Sequence, residues 1–204
     1  GYVEVLNNIR VDTMVFPNFI NYNTSTAKGL LATVDNKKIR VEIVKKGDRF
    51  KLGEDVDIEV LSPEYDIVVP EGTVPEKSAG FLNNNSLVLK MTYKNNTFLF
   101  TADIYWERED ILIEEQGENL KVDVLKVPHH GSPTSSSARF VNVVEPKIAI
   151  MTSISPSKVV YDRYKRKGSN IYITGLDGNI LVISDGENIK VIQEHERTIK
   201  GYYD

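Results

Sequence analysis

Apolar positions along this chain change their spacing several times, and each change marks an element. Tyr2-Val3-Glu4-Val5-Leu6-Asn7-Asn8-Ile9 reads as the last turns of a helix, and Val11 to Phe16 as a short strand closed by Pro17-Asn18. Ser25 or Thr26 caps a helix through Ala27, Leu30, Leu31 and Val34, whose spacing gathers apolar side chains on one face. From Ile39 to Leu61 the period falls to two. Ile39-Val41-Ile43, Phe50-Leu52 and Val56-Ile58-Val60 predict strands of a meander, with Lys46-Gly47-Asp48 and Gly53-Glu54-Asp55 as turns. The stretch from Ser62 through Gly80 to Leu82 carries Pro63, Pro70 and Pro75 and holds no period, which predicts a long surface loop.

The second half alternates strands with helices. Ser86 to Thr92 and Thr97 to Thr101 predict a hairpin around Lys94-Asn95-Asn96, and Ile104 to Glu115 an amphipathic helix. Val122 to Val127 is an apolar strand that runs into Pro128-His129-His130-Gly131-Ser132. A serine of Ser135-Ser136-Ser137 caps a helix through Phe140, Val143 and Val144, and Lys147 to Thr152 predicts a buried strand. Lys158 to Lys167 reads as a basic helix stopped at Gly168, with strands to follow around Ile171, Ile180 to Ile183 and Ile189 to Ile192. Such an order predicts an α/β layered fold with mixed sheets, and internal repeats are not evident.

Composition narrows the class. At 204 residues and 41% hydrophobic, the chain is expected to fold as a single domain over residues 1–204. A net charge of −4 argues against a generally basic nucleic-acid binder. With no cysteine, disulfides, thiolate zinc sites and a cysteine nucleophile are excluded. Neither a membrane span nor a signal peptide is recognisable. The chain starts at Gly1-Tyr2 without methionine, so an upstream segment is expected.

Two strand ends carry the chemistry. Phe98-Leu99-Phe100-Thr101 runs into Ala102-Asp103, and the next strand runs into His129-His130, two of the three histidines in the chain. A carboxylate and imidazoles on one rim of a sheet suit a metal centre. The same residues also fit a helix N-cap at Asp103 and loop histidines bonded to backbone, and spacing alone leaves both open. Other residues take plainer readings. Trp106 beside Tyr105 anchors the following helix, with ring stacking as its functional alternative. His195 is a surface histidine, Ser135 to Ser137 cap and turn, and Asp177-Gly178 forms a hairpin turn.

Taken together, Asn83-Asn84-Asn85-Ser86-Leu87-Val88-Leu89, Phe98 to Asp103, Asp123-Val124-Leu125-Lys126-Val127-Pro128-His129-His130-Gly131-Ser132 with Thr134 to Ser137, Glu145-Pro146-Lys147 and Thr174-Gly175-Leu176-Asp177-Gly178-Asn179-Ile180 resemble the metallo-β-lactamase-fold domain of ComEC-type competence proteins and their free-standing relatives. The resemblance runs from Val11 onward. It implies an αβ/βα sandwich and metal-dependent hydrolysis, of phosphodiesters above all, with Zn2+ or Mn2+ as cofactor. It assigns Asp103 as the bridging ligand and His130, or failing it His129, as a ligand of the second metal. The other histidine is then placed in the substrate pocket, with Asn83, Asn84, Asn85 and Ser132 beside it. It also hints at an extracytoplasmic location and DNA strand degradation during uptake.

The chain departs from the family where most ligands lie. The HxHxDH motif is absent, Ile154-Ser155-Pro156-Ser157 stands where a Gly-His-Pro segment is usual, and Ala102 replaces a glycine. An N-terminally truncated domain, inactive until an upstream segment of the same protein supplies ligands, is the first expectation, and one sheet should then be incomplete. A non-catalytic binding or scaffold domain is the second. A third, nucleic-acid binding without catalysis, rests on Lys158, Arg163, Lys165, Arg166 and Lys167, a run that a solvated helix face explains as well.

Overall fold

The computed structural model describes residues 1–18 and 24–197. Tyr2–Asn8 forms α1, Thr13–Pro17 β1, Ser25–Asn36 α2 and Arg40–Val44 β2. The cap of α2 is Thr24, one residue before the predicted serine, whose hydroxyl accepts the N–H of Ala27 at 3.1 Å. β1 and β2 pair in parallel, Thr13 opposite Arg40 through Pro17 opposite Val44. A parallel pair needs a crossover, and α2 supplies it. β2 therefore does not open the meander as its period suggested, because alternation sets which face a residue takes and not which strand it pairs with.

The main sheet is built from Arg49–Leu52 (β3), Val56–Ser62 (β4), Val88–Tyr93 (β5), Asn96–Phe100 (β6), Val124–Lys126 (β7), Ile148–Met151 (β8) and Asn170–Ile173 (β9), hydrogen-bonded in that order. β3 to β6 are antiparallel and β6 to β9 parallel. Helices Trp106–Gln116 (α4), Ala138–Val144 (α5) and Lys158–Arg166 (α6) are the crossovers of the parallel half. A shorter helix, Ala79–Asn84 (α3), begins inside the stretch that the prolines marked as loop. It starts where Ser78 can cap, its hydroxyl accepting the N–H of Phe81 at 3.2 Å.

Period-two alternation divides the sheet's side chains between two layers. Leu99, Leu125, Ala149, Met151 and Ile173 share a core with Leu112, Ile113, Phe140, Val141, Val144, Val160 and Tyr164 of the helices. Phe98, Val124 and Ile148 point the other way and pack on Val182, Ile189 and Val191. Those belong to the antiparallel hairpin of Ile180–Ser184 (β10) and Ile189–Gln193 (β11). Among the described residues, two further two-stranded ladders, β1-β2 and β10-β11, are separate from the main sheet, and β10-β11 covers its second face.

Asp177-Gly178 is not a hairpin turn. Thr174–Asp177 is a single helical turn, and Asp177 is fully buried. Its carboxylate accepts the N–H of Ile173 at 2.6 Å and both Nε and Nη2 of Arg197, at 2.7 and 2.6 Å. Burial of a charge needs such pairing, and the partner lies too far along the chain for local turn chemistry to reveal it.

Candidate functional site

Three parallel strands end on the same rim, and their ends bring the candidate residues together. Thr101, buried just past β6, donates its hydroxyl to Lys126 O at 2.7 Å, locking the two strand ends in register. Ala102 then turns with a φ of +46°, and His129, His130 and Gly131 follow β7 with φ of +45°, +59° and +80°. Left-handed backbone costs a non-glycine residue about 1 kcal/mol or more, so this run persists only because its surroundings hold it. His129 N donates to Ala102 O at 3.2 Å, and Ser157 N donates to Gly131 O at 2.9 Å. A Cβ on Gly131 would lie 2.9 Å from Pro156 Cβ, so position 131 needs glycine for space as well as for φ.

Asp103 receives two partners. Its Oδ2 lies 3.2 Å from His130 Nε2, and its Oδ1 lies 3.2 Å from Lys126 Nζ, which also donates to Ala102 O at 2.7 Å. It does not cap α4, whose N-cap is Tyr105. His130 Nδ1 is 2.8 Å from Thr152 Oγ1, which fixes the ring and aims Nε2 at the carboxylate. His129 turns aside. Its Nδ1 is 2.8 Å from Thr134 Oγ1, and its ring stacks on Tyr105 with centroids 4.9 Å apart. Burial holds the Lys126 ammonium below its ordinary pKa against the pull of Asp103. Burial also lowers His129, against the pull of Asp103.

Two ligand atoms bound to zinc at about 2.1 Å lie about 3.0–3.4 Å apart. The 3.2 Å between Asp103 Oδ2 and His130 Nε2 matches one edge of such a polyhedron. An edge is not a site. Among the described residues no group of three or more His, Cys, Asp and Glu could hold a metal ion, and structural and catalytic zinc take at least three protein ligands. The chain's own residues therefore fit part of a metal centre.

The asparagines divide by role. Asn84 Oδ1 accepts the N–H of Tyr105 at 2.8 Å and Arg108 Nε donates to Asn84 O at 2.7 Å, so Asn84 anchors the start of α4. Asn83 and Asn85 line a cleft of about 810 Å3 whose walls also include Phe16, Phe100, Ala102 and Lys126. Ser132 Oγ lies 3.1 Å from Thr134 Oγ1, and Ser132 N donates to His129 O at 2.8 Å. Trp106 is 44% exposed and holds Thr134 O through its backbone N–H at 3.2 Å. α6 buries Val160, Tyr161 and Tyr164, as an amphipathic helix does, and His195 is exposed.

Lys126 is a site residue that the motifs of the sequence do not single out. Its signal was available, since a strand buried within a parallel sheet reads as nearly continuous apolar sequence and Lys126, like Asp123, interrupts this one.

No family model matches the chain. It is 32% identical over 154 residues to ComE operon protein 3 of Bacillus subtilis (strain 168), a match covering 75% of this chain and 18% of that protein. It is 34% identical over 102 residues to competence protein ComA of Neisseria gonorrhoeae, covering 47% of this chain and 15% of that protein. The chain thus spans less than a fifth of the length of either relative. Among solved structures, the diiron β-hydroxylase CmlA of Streptomyces venezuelae superposes with a TM-score of 0.49 at 12% identity, over 93% of this chain and 41% of that one.

Proposed function

Starting from a chain that is a ComEC-type competence protein relative of the metallo-β-lactamase fold, we propose that it carries the larger part of a metal-dependent phosphodiesterase acting on nucleic acid strands. The observation that carries this reading is the approach of Asp103 Oδ2 to His130 Nε2 at 3.2 Å across adjacent parallel strand ends. Asp103 and His130 would hold the metal, Zn2+ or Mn2+, and when bound that group supplies an activated water and charge neutralisation at the phosphate. Thr152 fixes the His130 ring, and Lys126 holds one Asp103 oxygen while placing a cation where a phosphate's negative charge would develop. His129, stacked on Tyr105, sits on the substrate side. The remaining ligands come from an N-terminal segment of the same protein, since two groups cannot complete the sphere.

A non-catalytic scaffold is favoured instead by one observation: an ammonium already satisfies Asp103 Oδ1. Zinc and manganese content, with hydrolysis of bis(p-nitrophenyl) phosphate and single-stranded DNA, separates the two. Residues 1–204 alone and an N-terminally extended protein are compared. Metal binding and hydrolysis confined to the extended protein and lost in Asp103→Ala support the enzyme. An extended protein that binds no metal supports the scaffold, and strong Asp103-dependent metal binding by residues 1–204 alone overturns the divided site.

A further inference from the structure

A second concavity opens on the same rim, between the loop that follows β4 and helices α3 and α4. Its volume is about 510 Å3, within the range of small-molecule sites, and Tyr105 lines it. Tyr105 is also the ring on which His129 stacks, and His129 lies 6.2 Å from His130 between ring centroids, so the two stacked rings of Tyr105 and His129 separate this pocket from the Asp103-His130 pair. Phe81 and Ile111 add apolar wall, while Glu64, Asp66 and Glu107 line it with carboxylates.

The charge pattern selects the kind of ligand. Glu64 is matched by Arg108, whose Nη1 donates to both of its oxygens at 2.7 and 2.9 Å. Three carboxylates against one guanidinium leave the lining acidic, which repels a phosphate and suits a neutral ring bearing N–H donors. Past His129 lie His130 and the Lys126 ammonium, both beside Asp103, as donors from which a phosphate can accept. A molecule spanning both needs an anionic centre joined to a planar, donor-bearing ring. A nucleotide has that form, and aromatic walls accept any base by stacking, at about 1–3 kcal/mol per base.

We infer that this pocket receives the base of a nucleotide whose phosphate lies on the rim beside Lys126 and His130. The inference rests on the phosphodiesterase reading for its substrate, yet its test needs no catalysis. Residues 1–204 are titrated with 2-aminopurine deoxyriboside 5′-monophosphate, whose fluorescence is quenched on stacking. Expected is saturable quenching, weakened at least tenfold both by Phe81→Ala, which removes wall, and by Thr73→Trp, which fills the pocket from the surface loop. Deoxyribose 5-phosphate, lacking the base, should compete at least tenfold less well than the nucleotide. No saturable quenching, quenching unchanged in both variants, or displacement by phosphocholine as readily as by dAMP each overturns it. Nucleotide binding of the expected kind in a protein whose extended form hydrolyses nothing would sink the proposed enzyme and leave this pocket standing.

Discussion

The buried carboxylate of Glu109 on α4 accepts the backbone N–H of Ser137 at 2.8 Å, and that of Ser136 as well, so the helix after Asp103 holds the loop that follows His130. Tyr164 Oη closes the same cluster at 3.1 Å from Ser136 Oγ.

Burial pushes the Glu109 pKa up to about 7 in spite of its two N–H donors. The folded protein then binds this proton more tightly than the unfolded chain, whose glutamate titrates near the ordinary value of about 4.3. The stabilisation from the protonated form is complete below that ordinary value and is lost as pH rises through about 7. Urea unfolding of the native protein should lose about 1–3 kcal/mol between pH 5 and pH 8 from this group, and Glu109→Gln should flatten that slope. Equal slopes in both would show that the carboxyl ionises normally.

Arg197→Ala should cost about 3 kcal/mol, because it strands the fully buried Asp177 without its bidentate partner. Combining Arg197→Met with Asp177→Asn should recover part of that loss. Denaturation midpoints at constant m-value decide it.

In an extended, metal-loaded protein, Asp103→Ala and His130→Ala should each lower hydrolysis by about 100-fold or more, and His129→Ala by less. Thr152→Val should weaken metal binding by about 10-fold through the freed His130 ring. Competitive chelator titration measures the second effect without catalysis.

Two glycines should answer alanine with opposite signs. A Cβ at Gly175 would lie 2.4 Å from the backbone Cα of Ile154, so Gly175→Ala must displace that loop and should cost about 1–3 kcal/mol. Gly29, inside α2, has nothing within 4 Å of its missing Cβ, and Gly29→Ala should stabilise by about 0.5–1 kcal/mol. Thermal melts of the pair check both.

Asp103 and the histidines were legible because an apolar run that stops on a polar residue marks a strand end, and successive parallel strands end on one rim. What alternation cannot carry is pairing. Ile39 to Ile43 looked like the first strand of a meander, yet β2 lies beside β1 across α2. Distance hid the rest. Asp177 and Arg197 are 20 positions apart, and Glu109 and Ser137 are 28 apart, so neither pair leaves a local signature. Lys126 lay in plain view as a charge within an apolar strand, and only its reach to Asp103 gives it a meaning.

His129 and His130 hold backbone angles that glycine and asparagine adopt at little cost. Any lineage released from the chemistry of this rim would drift at these two positions toward glycine or asparagine, while Gly131, fixed by Pro156, stayed in place. Glycine or asparagine at both histidine positions, ahead of an unchanged glycine, would therefore date the retirement of the site more surely than the loss of any ligand elsewhere.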